Sequence, residues 1–369
     1  MFTFPADPQA TFDERAPQFA AWGIPRDLIA RARADIHDMW GTGPGGWVPV
    51  WASHAERAER DGAWLRAALL WGAARFPTLA TEERQAALER QIAAYRRVRF
   101  PVRFERRVLE VPYGDGATPV PVHLFERNHG RRRGVLVLSG GVDMWKVELH
   151  RLAVATARAT GLLVAALDIP GTGESRLPLD RDGDRVLAGV VAALRETYAA
   201  PIGYLGLSFG GHWAAKLAML GDVDAAVDIG GPTGLADEPV DVLNLPYGMA
   251  GIVGNAMGLG ALPAPDEVPK LLERFSLRHL AERPGTTPLL AANGAHDQYI
   301  PRGDTTGLAR RPHTTVWIVR DATHCAPERF WPLVIGAWGW LLARLAPERP
   351  AVRLAEPLLA APVRRLLAA

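Results

Sequence analysis

The amino-acid sequence predicts an α/β fold in which a mainly parallel, doubly wound sheet follows a helical N-terminal region. Two observations support this prediction. Apolar residues recur at helical spacing up to about residue 104, whereas short apolar runs typical of strands begin at about residue 105. From the third run onward the strands mostly alternate with helical stretches, which is the pattern of a parallel sheet covered by helices on both faces.

The helical region comprises residues 1–104, which we expect to form a lid-like N-terminal domain. One helix is predicted to begin near Pro25, since proline suits the first helical position. A second is predicted from about Ala52 to Phe76 and a third from Thr81 to about Val98. Most tryptophans of this region are expected to pack between helices, with one or two facing a pocket: Trp40, Trp47, Trp51, Trp64 and Trp71.

The sheet region is predicted to span residues 105–346. Its first two strands, in RRVLEV and PVPVHLF, are separated by a short turn and should form an antiparallel hairpin at the sheet edge. The interval 232–284 breaks the alternation of strands and helices, and a loop of that length is uncommon in a compact domain unless it covers a site. We therefore predict a cap at 232–284, and a surface-packed helix in the Arg- and Leu-rich tail 347–369.

Composition excludes several classes of protein. The 369 residues carry a net charge of only +2, with basic residues spread along the chain, so we expect no nucleic-acid partner. The one cysteine, Cys325, rules out a disulfide framework and a cysteine-based zinc site. Neither a signal peptide nor an apolar run long enough to span a membrane is recognisable, so we expect a cytoplasmic protein without membrane association.

The motif Gly206-Leu207-Ser208-Phe209-Gly210 lies between an apolar strand and a helical stretch. This context is typical of the nucleophile elbow of the α/β-hydrolase fold, where a sharp strand-to-helix turn holds a serine in a strained conformation. A structural glycine-rich turn is the alternative interpretation. We predict that Ser208 is the nucleophile.

A serine hydroxyl needs an adjacent base, and in this fold the acid and the histidine follow the serine along the chain. Asp297 follows one predicted strand and His324 follows the next, so both should lie at the carboxyl edge of the sheet with Ser208. We predict His324 as the general base and Asp297 as the residue that orients it. Asp304 and Asp321 are alternative acids.

The oxyanion hole is expected to use the backbone N–H of Phe209 and that of Gly141 or Val142, in the glycine-containing loop after the strand GVLVLSG. The substrate pocket is expected to include four further residues: Asp143, Trp145, Tyr247 and Met249.

Three other features have less direct interpretations. The segment from Asp168 to Ser175, DIPGTGES, lacks the lysine of a phosphate-binding loop, and we interpret it as a structural turn at the rim. Cys325 could in principle act as a thiol nucleophile, although Ser208 makes an ordinary packed cysteine the better interpretation. His212 is expected to pack within the helix that follows the elbow.

The segments GGWVPVWAS, WGAARFP, SGGVDMW, DIPGTGES and GLSFGG follow one another in an order that resembles the FrsA-like (DUF1100) esterases. The arrangement is also similar to that of 2,6-dihydroxypseudooxynicotine hydrolase and of fungal pigment hydrolases that shorten a polyketide chain. The resemblance implies a helical domain packed over the hydrolase core, a pocket at their junction, no cofactor or metal, and often a dimer.

Together these features predict a serine hydrolase that cleaves an ester, or a C–C bond beside a ketone, in a bulky apolar small molecule. A polyketide-like or aromatic compound of secondary metabolism fits the apolar residues of the predicted cap and the tryptophans of the helical region. The alternative is a lyase on the same residues, for example one that eliminates acetate from an acetylated intermediate. A non-catalytic binding protein would not need the serine, acid and histidine that this chain has.

Overall fold

The N-terminal region consists of helices in the computed structural model, which describes residues 1–237, 240 and 245–368. The helices are α1 (Pro8–Trp22), α2 (Arg26–Asp35), α3 (Trp47–Arg60), α4 (Trp64–Arg75) and α5 (Glu82–Tyr95). The prediction of one helix from Ala52 to Phe76 was wrong, because Gly62 adopts a positive φ of 69° that ends α3 and reverses the chain into α4. Helix α1 was not predicted as a separate element.

Aromatic side chains form the core of this region. Helix α1 buries the stripe that contains Phe12 and Phe19, and both rings pack against Trp47 and Trp51, which are fully buried. The Trp47 indole N–H donates to the Ala73 carbonyl at 2.7 Å, so this buried polar group is satisfied. These aromatic rings form the N-terminal part of a larger apolar core.

The sheet has the strand order β1-β2-β4-β3-β5-β6-β7-β8. Strand β1 pairs antiparallel with β2, and β2 with β4, whereas all later neighbours are parallel. The predicted fold class and the predicted edge hairpin are confirmed. The strands are β1 (Arg103–Tyr113), β2 (Gly116–Glu126), β3 (Val135–Ser139), β4 (Leu163–Leu167), β5 (Ile202–Leu207), β6 (Ala225–Ile229), β7 (Leu289–Gly294) and β8 (Thr314–Val319).

Helices cover both faces of the sheet, as the nearly continuous apolar strands require. Side chains from α6 (His150–Thr160) and α13 (Phe330–Leu345) join the N-terminal helices in one core. Side chains from α7 (Gly183–Tyr198) and α8 (Phe209–Leu220) form a second core on the opposite face. Helix α12 (Arg302–Thr306) lies between β7 and β8, and α14 (Pro350–Arg364) packs on α13.

The described part of the chain between β6 and β7 contains three short helices, α9 (Met249–Ala256), α10 (Val268–Glu273) and α11 (Arg278–Ala281). Residues 238–239 and 241–244 of the predicted cap lie outside the described residues. The amide of Asn255 on α9 binds the backbone N–H and carbonyl of Phe2 at 2.8 and 2.9 Å, so the N-terminus packs against this segment. No helix among the described residues is long and apolar enough to cross a membrane.

Candidate active site

Ser208 occupies the turn between β5 and α8, with φ 54° and ψ −127°. Such a backbone conformation is strained for a residue with a side chain, and strain of this kind concentrates at functional sites. The turn is possible because glycines flank it. A side-chain carbon at Gly206 would lie 1.9 Å from the Gly210 carbonyl oxygen, and one at Gly210 would lie 2.5 Å from the Gly140 carbonyl oxygen.

His324 and Asp297 are brought together by the loops that follow β8 and β7. The His324 Nδ1 lies 2.7 Å from Asp297 Oδ2. Asp297 Oδ1 accepts hydrogen bonds from the backbone N–H groups of Tyr299 at 2.7 Å and Ile300 at 3.0 Å, which hold the carboxylate in place. Asp297 therefore faces Nδ1 and leaves the Nε2 side of the ring available.

Asn293 at the end of β7 connects the two loops, and sequence reasoning missed it. Its side-chain N–H donates to Asp297 Oδ2 at 2.6 Å, while its carbonyl accepts from the backbone N–H of Cys325 at 3.1 Å. The side chain is almost fully buried. A polar residue at the last positions of an otherwise apolar strand was the signal in the sequence.

The electrostatic surroundings of His324 favour its protonated form. Burial by itself would lower the pKa of the imidazole, but the Cys325 thiol and the Asp297 carboxylate beside it raise that pKa well above the ordinary value of 6.5. The Cys325 Sγ also donates to the Ile229 carbonyl at 3.1 Å, the same oxygen that accepts the Ser208 backbone N–H at 2.8 Å. Ser208 and the His324 loop thus meet at the end of β6.

The contact between Ser208 Oγ and the His324 ring is not formed in this conformation. Among the described residues, the hydrogen bonds of His324 run from Nδ1 to Asp297 and from its backbone N–H to Gln298. Hydrogen bonds between a nucleophile and its base often tighten only when substrate binds. The absence of this contact in the present conformation is therefore compatible with base catalysis.

The alternative acids have other partners. The Asp304 carboxylate accepts the backbone N–H groups of Thr233, Gly234 and Ala236, at 2.8, 3.1 and 2.9 Å, and thereby anchors the chain after β6. Asp321 is exposed in a turn with φ 52°. The structure brings Asp297, and neither of these two, onto His324 Nδ1.

The loop after β3 lies directly against Ser208. A side-chain carbon at Gly141 would lie 2.9 Å from Ser208 Oγ and 3.5 Å from the backbone nitrogen of Phe209. The backbone at Gly141 therefore approaches the serine so closely that a side chain at this position would collide with it. Val142 follows it and is buried.

A buried ion network fixes this loop. Lys146 pairs with Asp168 and, at 2.8 Å, with Glu174, while its backbone N–H donates to Asp168 Oδ1 at 2.8 Å. Burial alone would lower the pKa of Lys146, but the two carboxylates raise it above its ordinary value, so the lysine is charged. The DIPGTGES segment thus binds the loop after β3 through side chains.

The N-terminal helices bind the same loop. Arg75 lies 3.3 Å over the centre of the Trp145 ring and pairs with Glu148 at 2.8 Å, all three side chains being buried. Trp145 is therefore enclosed between Arg75 and the loop. Arg15 on α1 pairs with Asp143 at 2.8 Å.

The other two residues predicted for the pocket, Tyr247 and Met249, lie at the start of α9, and His212 packs within α8 as expected. Tyr247 is 41% exposed and precedes α9, whereas Met249 begins that helix and is buried. His212 lies within α8 with Nδ1 2.8 Å from the Pro232 carbonyl, and burial lowers its pKa to about 3. The described residues contain no group of three or more ligand-type side chains that could hold a metal ion.

Comparison with known proteins agrees with this architecture. The structure is similar to that of wild-type AbyA5, with a TM-score of 0.73 and 23% identity over 90% of this chain and 93% of that one. It is also similar to 2,6-dihydroxy-pseudo-oxynicotine hydrolase, with a TM-score of 0.69 and 21% identity over 90% and 96% of the two chains. At this level of identity the likeness shows a shared fold.

Sequence comparison extends the agreement to the family. Esterase FrsA of Vibrio vulnificus is 23% identical over 317 residues, which cover 76% of this chain and 74% of that protein. The model of the FrsA-like esterases matches residues 40–311, well over half of the chain and including Ser208 and Asp297. The chain therefore belongs to the FrsA-like esterase family of α/β-hydrolases.

Proposed function

We propose that Ser208 is the nucleophile of a serine hydrolase, with His324 as general base and Asp297 as the residue that orients the imidazole. The observation that carries the proposal is the 2.7 Å contact between His324 Nδ1 and Asp297, combined with the strained turn that presents Ser208 on the same rim. An acceptor on Nδ1 keeps the proton there, so Nε2 is left as the base.

The reaction begins when Ser208 Oγ attacks a substrate carbonyl and its proton passes to His324 Nε2. The backbone N–H groups of Phe209 and of Gly141 or Val142 stabilise the oxyanion. Collapse breaks the bond to the leaving group, which takes the proton from the imidazolium. Water, deprotonated by His324, then hydrolyses the acyl-enzyme and releases a carboxylic acid.

Two bond types are compatible with this sequence of steps. In an ester the leaving group is an alkoxide. In a β-diketone it is an enolate, whose negative charge is stabilised by the neighbouring ketone. We propose a bulky small molecule of aromatic or polyketide-like character as substrate. Support comes from the apolar residues of α9 and from the similarity of the fold to that of 2,6-dihydroxy-pseudo-oxynicotine hydrolase.

The proposal is tested by incubating the protein with para-nitrophenyl esters of increasing acyl size and with aryl β-diketones. We expect kcat/KM to be higher for aromatic or medium acyl groups than for acetyl, and activity to be absent from Ser208→Ala. Mass spectrometry of the products shows whether water has been added. A β-acetoxy ketone is included as a further substrate, and loss of acetate from it without addition of water would instead identify a lyase. Best activity on acetyl esters would contradict the proposed pocket.

A further inference from the structure

A charged cluster on α1 lies beside the candidate active site. The side chains of Glu14 and Arg15 are only 11% and 10% exposed, although Asp13 next to them is 62% exposed. Arg15 occupies a position of the buried stripe formed by Phe12 and Phe19, where an apolar residue is expected. A charged pair in such a position requires a reason beyond packing, since burying charges is costly.

The cluster is joined to the oxyanion loop and is electrostatically coupled to the general base. Arg15 Nη2 lies 2.8 Å from Asp143 Oδ2, two residues after Gly141, and Arg15 Nε lies 3.0 Å from Glu14 Oε2. Burial raises the pKa of Glu14 to about 7, with Arg15 lowering it, Asp143 raising it and His324 lowering it. Glu14 is thus close enough to sense the charge of His324.

The charges of this cluster do not balance. In direct contact, one guanidinium faces two carboxyl groups, those of Glu14 and Asp143. The other nearby cations, His324 for Glu14 and Arg75 for Asp143, act on them electrostatically without an ion-pair contact among the described residues. Among the described residues, the facing atoms Glu14 Oε2, Arg15 Nε, Arg15 Nη2 and Asp143 Oδ2 are buried and meet at ion-pair distance without well-aligned hydrogen bonds. Buried polar groups in proteins are usually satisfied. A purely structural ion pair would be expected to have satisfied hydrogen bonds.

A group that donates a hydrogen bond to Glu14 would offset the excess of carboxyl groups and would also give the Glu14 carboxyl a well-aligned donor. It would supply a partner to a carboxyl that Arg15 cannot neutralise alone, and the Glu14 side chain keeps an exposed fraction of 11%. Arg15 is unsuited to that role because its three nitrogens already face Glu14, Gln18 and Asp143. The geometry favours a neutral hydroxyl as the donor.

We infer that Glu14 is a specificity-determining residue that accepts a hydrogen bond from a hydroxyl group of the substrate. The inference rests on the proposed function, because it places the hydroxyl in the same site as Ser208. It narrows the substrate class to hydroxylated acyl compounds, such as phenols, enols or alcohols with an otherwise apolar skeleton.

The experiment measures binding and turnover separately. Para-nitrophenyl benzoate and its ortho-, meta- and para-hydroxybenzoate analogues are titrated by calorimetry into Ser208→Ala protein, with and without Glu14→Leu. Because Arg15 and Asp143 remain as a neutral pair after this substitution, the variant should fold. Glu14→Gln, which keeps the shape of the side chain, is a second variant, and Asp13→Asn, on the exposed face, is the matched control.

We expect at least one hydroxybenzoate to bind about tenfold more tightly than benzoate, a preference that a single hydrogen bond can supply. Glu14→Leu should abolish the preference with benzoate binding changed less than threefold, Glu14→Gln should reduce it, and Asp13→Asn should leave it intact. An unchanged preference in Glu14→Leu, or none in the parent protein, would overturn the inference. Turnover of the same esters by the protein that retains Ser208 tests the proposed function independently of these outcomes.

Discussion

Replacing Asp297 with Asn tests how the acid acts on His324. The carboxylate accepts four hydrogen bonds, from Tyr299 N, Ile300 N, Asn293 Nδ2 and His324 Nδ1. An Asn side chain can keep its carbonyl on the two backbone N–H groups. Its NH₂ group would then face two donors, on Asn293 and His324, so the ring must turn or change tautomer and Nε2 is lost as the base.

The expected magnitude follows from this geometry. Neutralising the corresponding aspartate in a serine protease lowers turnover about 10⁴-fold, or about 5 kcal/mol of transition-state stabilisation. The loss of a charged acceptor for two side-chain donors should also lower the free energy of unfolding by about 3 kcal/mol. Both effects should appear in Asp297→Asn.

The assay is steady-state hydrolysis of a para-nitrophenyl ester, with urea unfolding as the stability readout. Asp321→Asn is the matched control, because Asn tolerates the positive φ of that exposed turn and activity should be unchanged. Asp304→Asn should destabilise the chain after β6 without a comparable loss of kcat. If Asp297→Asn keeps more than about a tenth of kcat while Asp304→Asn loses 10⁴-fold, the assignment of the acid is refuted.

Three further predictions concern the oxyanion loop, a buried acid and the base. Gly141→Ala should lower kcat by about 10²-fold or more, since the new side-chain carbon would lie 2.8 Å from Ser208 Cβ. An unchanged kcat would show that the loop moves to accommodate the methyl group, and would contradict the prediction. Burial raises the pKa of Asp228 to about 8, so this residue contributes stability that is lost as pH rises from about 4 to 8. Urea unfolding of Asp228→Asn, which keeps the acceptor for Gly231 N–H, should show that the free energy of unfolding falls less over this range than in the parent protein; an identical pH dependence would contradict the assignment. Because the pKa of His324 is raised, kcat/KM should increase with pH through a midpoint above 6.5, and a midpoint below that value would contradict the geometry.

The parts of the fold that depend on local patterns were predictable. An apolar run, a glycine-flanked serine and a helical stretch are contiguous, so the elbow at Ser208 could be recognised without knowledge of distant contacts. The parallel sheet could also be recognised from local sequence, because its strands are almost wholly apolar. The break between α3 and α4 at Gly62 was missed because helical periodicity continues on either side of it.

Features that depend on distant contacts were not predictable. Asp297 was preferred as the acid, but Asp304 could not be excluded from the sequence, because its partners Thr233, Gly234 and Ala236 are about 70 residues away. Arg15 is a charged residue in an apolar stripe, a signal that was present but overlooked. Its partner Asp143 belongs to another region of the chain, so the reason for burying Arg15 became visible only when α1 was seen to pack on the oxyanion loop.

The central claim is that Ser208 forms a covalent intermediate, and active-site labelling tests it most directly. The protein is treated with a fluorophosphonate probe, digested and mapped by mass spectrometry. The account predicts one adduct, on Ser208, with no adduct in Ser208→Ala and with labelling slowed in His324→Ala because the base is missing. An adduct on another residue, Cys325 included, or undiminished turnover in Ser208→Ala would contradict it.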